Sequence, residues 1–368
     1  MAPKFNLDLR QQVGQLLLMG FEGVECSARL RSTFASLQPG GIILFKRNIT
    51  GAEQTWKLLR EAQVCIQQPA FLCVDVEGGT VDRLKDVIAP APAAAEVFAT
   101  GNRKLFRKHG RILGDECRAL GFNVDFNPVV DIGFEPSRPV LTSRTVSDDP
   151  EDVVTFAREV LRGMSEAGVI GCGKHFPGLG EANLDTHKEL PSISKPAKKL
   201  WNEDLFPYRK LHKQMPIIMV AHAAYPSVTR DNAPASLSKK WMVDILRKKI
   251  GFRGVVMADD LEMGGVLATA SIEDAAVETL KAGSDLFPIC HNAEKAWSCY
   301  EAVLSAAERD RRFAAQIAQK AARVMALKKK AGLAGRRTPP PSQKTLDRLR
   351  RALWELTEEV RLEKTAPV

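Results

Sequence analysis

Short apolar runs recur along the chain, separated by segments of helical length. They occupy residues 16–21, 41–45, 71–74, 123–127, 170–173, 217–221, 255–258 and 285–289. Each is apolar on both faces, without the alternation of a half-exposed strand, as buried parallel strands are. Helical patterns lie between most of them, such as 51–67, 103–120 and 150–167. Eight strands alternating with helices predict an α/β protein, a single-domain (β/α)8 barrel of the TIM type. The alternative, a doubly wound open sheet, usually carries a G-x-G-x-x-G turn after an early strand, and the chain has none.

A helix is expected to begin near residue 7, ahead of the first strand. After the last strand, residues 293–331 are rich in Ala, Lys and Arg and predict one long helix, ended by Gly332 and Gly335. Thr338-Pro339-Pro340-Pro341-Ser342 then reads as a stiff linker. A final helix over 343–363 places Leu346, Leu349, Leu353 and Leu356 on one stripe, suited to packing on the barrel or on a partner. The expected division is a catalytic barrel over 1–332, a Pro-rich linker over 333–341 and a helical extension over 342–368.

Composition changes little in this picture. The chain has 368 residues, 45% of them hydrophobic and 26% charged, enough for a sizeable core. No apolar run reaches the roughly 20 residues of a membrane helix, so no membrane insertion is expected. The N-terminus is polar and lacks a signal-peptide pattern. Seven cysteines without a C-x-x-C pair read as reduced thiols in a cytoplasmic protein. The formal charge of +9 is spread over helices with few aromatics among the basic residues. That argues for a solvated basic surface and no nucleic-acid partner.

The candidate chemistry collects at strand ends, where a barrel of this kind builds its site. Asp75 follows the third apolar run, Asn127 ends the fourth with Asp131 just beyond, and Lys174-His175 end the fifth. His222 ends the sixth and Asp259-Asp260 the seventh. Strand alternation turns one of Asp259 and Asp260 inward, as a nucleophile or a metal ligand, with the other as a cap or rim salt bridge. His175, His187 and His222 could complete a metal set, though no H-x-H or H-E-x-x-H spacing supports one. Asp185-Thr186-His187 lie in a glycine-rich loop, where residues two apart face the same side. The carboxylate can then orient the imidazole for acid/base work near neutral pH. A loop merely stitched by Asp–His hydrogen bonds fits the same spacing equally well.

Several ordered motifs resemble glycoside hydrolase family 3, and within it the single-domain bacterial β-N-acetylglucosaminidases of cell-wall recycling. Asp75-Val76-Glu77-Gly78-Gly79 with Val81-Asp82-Arg83-Leu84 is similar to the family's D-x-E-G-G-x-V-x-R-L. Phe126-Asn127-Pro128-Val129-Val130-Asp131 resembles its F-A-P-V-x-D strand. Arg144 stands in a segment like R-S-F-x-x-D-P. Lys174-His175-Phe176-Pro177-Gly178 followed by Asp185-Thr186-His187 resembles K-H-F-P-G-H-G with D-S-H. Ala258-Asp259-Asp260-Leu261-Glu262-Met263 resembles S-D-D-L-x-M.

The resemblance implies Asp259 as nucleophile, His187 as general acid/base oriented by Asp185, and Asp75, Arg83, Arg144, Lys174 and His175 as sugar-binding residues. It implies retaining hydrolysis of terminal N-acetylglucosamine from muropeptide fragments, with no metal and no cofactor. The same histidine, neutral as a base, would also tolerate phosphate as acceptor, so a phosphorylase is the nearest alternative. A β-glucosidase and an inactive sugar-binding barrel are the others. A monomer is expected, the C-terminal helix being where a dimer would form. Leu179, Val76, Ala258 and Thr80 depart from the family's usual histidine, glutamine, serine and arginine. Leu179 changes the polarity of the catalytic loop and bears on leaving-group preference.

Overall fold

The computed structural model describes residues 6–182, 184, 186, 189–335 and 338–365. Eight parallel strands form the barrel: β1 Leu17–Met19, β2 Gly41–Ile43, β3 Phe71–Val74, β4 Val124–Asp125, β5 Ile170–Phe176, β6 Ile217–Val220, β7 Val255–Ala258 and β8 Phe287–Ile289. They pair in chain order, and β8 returns to β1 with Leu17 opposite Phe287. The bridge between Met257 and Leu286 joins β7 to β8 and closes the ring. Closure leaves no free sheet edge, which is why such short strands suffice. Every strand residue is buried, which explains why both faces of each run are apolar.

Helices cover the outside. Pro150–Ala167 shows the local logic: Asp149 caps its N-terminus by accepting from the Glu151 N–H at 2.8 Å, and Gly168 ends it at φ 75°. The expected long helix after β8 is two helices, Ala293–Arg309 and Arg311–Lys330. Asp310 divides them: its backbone is extended, and its carboxylate accepts from the N–H groups of Arg312 and Phe313. One side-chain cap thus outweighs a composition that favours helix throughout.

The C-terminal helix, Gln343–Thr365, lies against the helix Arg103–Ala119. Leu346, Leu349, Leu353, Leu356 and Val360 are buried in the main core, so the leucine stripe packs on the barrel. Lys108 pairs with Glu359 at 2.8 Å along its edge, and Trp56 Nε1 donates to the Thr338 carbonyl at 2.9 Å. No helix of the described residues is long and apolar enough to cross a membrane.

Candidate active site

The C-terminal ends of the strands open into a cavity of about 560 Å³. Asp75 beyond β3, Arg83 and Arg144 on the following loops, Lys174 and His175 on β5, and Asp259 beyond β7 all line it. Six residues named from the sequence therefore meet at one place. His187 and Asp185 lie outside the described residues. Thr186 also lines the cavity, and its carbonyl accepts from the Gly265 N–H at 3.3 Å, bringing the loop after β5 to the loop after β7.

The polar wall begins with Asp75-Val76-Glu77. Residues two apart on an extended chain point the same way, so both carboxylates face the cavity. A short hairpin, Val76–Gly78 with Val81–Asp82, fixes that segment. Its turn needs glycine: Gly78 and Gly79 have φ of +84° and +61°. A Cβ on Gly78 would also meet the Pro92 carbonyl oxygen at 2.3 Å. Arg83 lies on the far side of this hairpin, its Nε buried and without a hydrogen-bond partner among the described residues.

Lys174 Nζ donates to Asp75 Oδ1 at 2.8 Å and lies 2.6 Å from Glu77 Oε1. Arg144 grips the Glu77 carboxylate with two bonds, of 2.8 and 2.9 Å. Burial alone would push the Glu77 carboxyl up, but Arg144 and Lys174 override it and hold the group well below the usual carboxylate range. Burial would likewise drive the Lys174 ammonium down, and Asp75 with Glu77 reverses this, leaving it above its ordinary value. The wall is thus an array of paired charges, in which Glu77 and Lys174 are held ionised by their partners despite burial.

His175 is oriented from behind. Its Nδ1 is 2.7 Å from Asp131 Oδ2, and the remaining nitrogen lies 3.5 Å from the Arg144 guanidinium. Asp131 Oδ1 also accepts from the Leu179 N–H at 2.8 Å, so one carboxylate sets both the imidazole and the start of the loop beyond it. Leu179 itself is buried, 4% exposed, within an apolar cluster. Tyr225 donates to the Gly178 carbonyl at 2.6 Å, and buried Lys195 pairs with Asp204 and Glu203, each at 2.6 Å. These contacts fix the chain at Gly178 and at Lys195.

Asp259 and Asp260 both line the cavity and differ in what they bond. Asp259 faces the cavity, and its Oδ1 accepts from the Asp260 N–H at 2.9 Å. The Asp260 carboxylate instead bonds the N–H groups of Glu262 and Cys290, at 3.0 and 3.2 Å, and ties β7 to β8 at the rim. Asp260 is therefore the rim residue of the pair. His222 does not join the site. It is fully buried, with Nδ1 2.6 Å from Ser236 Oγ and Nε2 2.9 Å from the Asp260 carbonyl. Burial holds its imidazole below the ordinary histidine value. No cluster of three or more metal-ligating side chains occurs among the described residues.

Two features of the cavity escaped the sequence reading. Glu77 is the hub of the charge array, and its spacing of two from Asp75 was the available signal. At the mouth, the Phe45 and His291 rings stack at 5.5 Å with 19° between their planes. They come from the loops after β2 and β8, and no local pattern connects them.

Residues 8–327 match the N-terminal domain of glycosyl hydrolase family 3. The chain belongs to this family. It is 32% identical over 296 residues to a protein named beta-hexosaminidase from Idiomarina loihiensis, a match covering 79% of this chain and 88% of that one. A family 3 β-N-acetylglucosaminidase from a Paenibacillus strain superposes with a TM-score of 0.90 at 32% identity, over 96% of this chain and 69% of the other. A β-N-acetylhexosaminidase from Beutenbergia cavernae superposes with a TM-score of 0.81 at 25% identity. That match covers 88% of this chain and 99% of the other.

Proposed function

We propose that this family 3 barrel is a retaining exo-β-N-acetylglucosaminidase, removing terminal N-acetylglucosamine from β-linked cell-wall fragments of the muropeptide type. The observation that carries the reading is the convergence of Asp259 with the Asp75–Lys174–Glu77–Arg144 array on one cavity. The names of its relatives point to the same sugar.

Each part then has a task. Asp75, Arg83, Lys174, Arg144 and His175 hold the hydroxyls of the terminal sugar, with charge-assisted hydrogen bonds from groups that need no reorganisation on binding. Glu77 keeps Lys174 and Arg144 in place without leaving either cation uncompensated. Asp259 attacks the anomeric carbon while protonated His187 donates to the departing oxygen. Water then attacks the glycosyl-enzyme with His187 as base. Asp185 orients that imidazole. These roles for His187 and Asp185 rest on the Asp-Thr-His spacing and on the family resemblance.

Comparison of an aryl β-N-acetylglucosaminide with the matching β-glucoside, with and without phosphate, tests the reading. Preferential release from the acetamido substrate, with β-N-acetylglucosamine as the first product by NMR, is expected. Faster glucoside cleavage, an α product, or phosphate-dependent release of sugar 1-phosphate would overturn it.

A further inference from the structure

Asp125 ends β4 and Asn127 stands two residues on, so both side chains point the same way. Both reach one residue, Val76, which lies between Asp75 and Glu77. Asp125 Oδ1 accepts from the Val76 N–H at 2.9 Å, and Asn127 Nδ2 donates to the Val76 carbonyl at 3.2 Å. We propose that Asp125 and Asn127 are positioning residues for the reaction: they clamp Val76 and so set where Asp75 and Glu77 stand in the cavity. The proposal rests on the glycosidase reading above and adds to it two residues that act on the sugar only through others.

The clamp sits where the chain leaves the sheet. β3 ends at Val74, whose carbonyl accepts from the Phe126 N–H at 2.9 Å. Beyond it the chain turns into the hairpin. Val76 is fully buried there, so bulk water cannot satisfy its peptide groups. Two side chains from the neighbouring strand meet them instead. Asp75 is therefore held from both sides, through the Val74 carbonyl and the Val76 N–H. A shift of Val76 would carry Asp75 and Glu77 with it, and both pair with Lys174.

Asp125 serves here as an acceptor rather than as a charge. It is fully buried, and its Oδ2 has no hydrogen-bond partner among the described residues. Burial drives its carboxyl well above the usual carboxylate range; the Val76 N–H and Lys174 oppose this, and Asp75 and Glu77 add to it. The neutral form is thus favoured. A neutral carboxyl offers the same carbonyl acceptor as an amide. Asparagine should therefore replace Asp125, and alanine should not. A residue that only filled space would affect stability and leave sugar binding by the folded protein unchanged.

The test measures kcat/KM on an aryl β-N-acetylglucosaminide and the inhibition constant of N-acetylglucosamine, each per folded molecule, with urea unfolding alongside. Asp125→Ala is expected to lower kcat/KM by about 30-fold and to weaken inhibition by about tenfold, the order of effect that a small displacement of positioning groups has. Asp125→Asn should keep both within about threefold of the wild type. Asn127→Ala removes the longer of the two bonds and should lower kcat/KM by about fivefold. Should Asp125→Ala fail to fold, Asp125→Asn and Asn127→Ala decide the matter. Folded alanine variants with wild-type kcat/KM and inhibition overturn the clamp, and so does a loss of about tenfold or more in Asp125→Asn. In both cases wild-type cleavage of the acetamido substrate leaves the glycosidase reading standing. A wild type that neither cleaves the aryl glycoside nor binds N-acetylglucosamine overturns both.

Discussion

Lys174 Nζ lies 2.6 Å from Glu77 Oε1, and each side chain is only 3% exposed. The charged wall of the cavity is built on this contact. Without the carboxylate, two buried cations, Lys174 and Arg144, would face each other with Asp75 alone to balance them. Glu77→Gln is therefore expected to lower stability by about 3 kcal/mol, the usual loss when one partner of a buried pair is removed. It should also lower kcat/KM on aryl N-acetylglucosaminide by about 100-fold, since a displacement of roughly 1 Å in a positioning group has that effect. Chemical unfolding and steady-state kinetics on the same variant check both.

Acid should weaken the fold through two buried groups. Glu77 titrates well below its unfolded value, so its contribution is whole above about pH 4.5 and is lost as the pH falls further. His109 packs beneath the Glu77 hairpin, and burial lowers its imidazole from 6.5 to about 4. The unfolded chain binds the extra proton first, so stability is full above pH 6.5 and declines as the pH drops toward 4. The His109 part amounts to about 3 kcal/mol at most. Urea unfolding at pH 7 and at pH 4.5 should show the loss in the wild type and a shallower one in His109→Leu.

Leu353 carries the C-terminal helix onto the barrel and is 1% exposed. Leu353→Ala is expected to cost about 2–4 kcal/mol by lost transfer energy and a cavity. Turnover by the folded fraction should not change, because the helix packs on Arg103–Ala119 and away from the cavity. Thermal unfolding and kcat measured side by side separate the two effects.

His187 is expected to act as the acid in its protonated form, so kcat should fall as the pH rises through the histidine range. His187→Ala should remove that limb and lower kcat/KM by 10²- to 10⁴-fold on a sugar leaving group, the usual range for general acid–base catalysis. The loss should be smaller with a nitrophenolate, which departs with little protonation. A pH–rate profile on both substrates checks the assignment.

The barrel was legible because buried parallel strands are apolar on both faces and so stand out from amphipathic helices. Lys174 and His175 were legible as polar residues at the end of such a run. Contacts between distant segments were not. Glu77 meets Arg144 across a sequence separation of 67, and nothing near either residue announces the pair. The stacked rings of Phe45 and His291 bridge β2 and β8 in the same way. The break at Asp310 was hidden for a different reason: the flanking residues favour helix, and a single cap decides the boundary. His222 looked like Lys174 and His175, a polar residue after an apolar run. Only its bonds to Ser236 and the Asp260 carbonyl reveal a core histidine.

The central claim is that Asp259 is the nucleophile of a covalent mechanism. Incubation with a fluorinated N-acetylglucosaminyl donor, followed by intact-mass measurement and peptide mapping, tests it most directly. One sugar per chain, attached at Asp259 and absent from Asp259→Ala, is the predicted result. A label on another residue, or an Asp259→Ala variant that still hydrolyses aryl N-acetylglucosaminide at the wild-type rate, would contradict it.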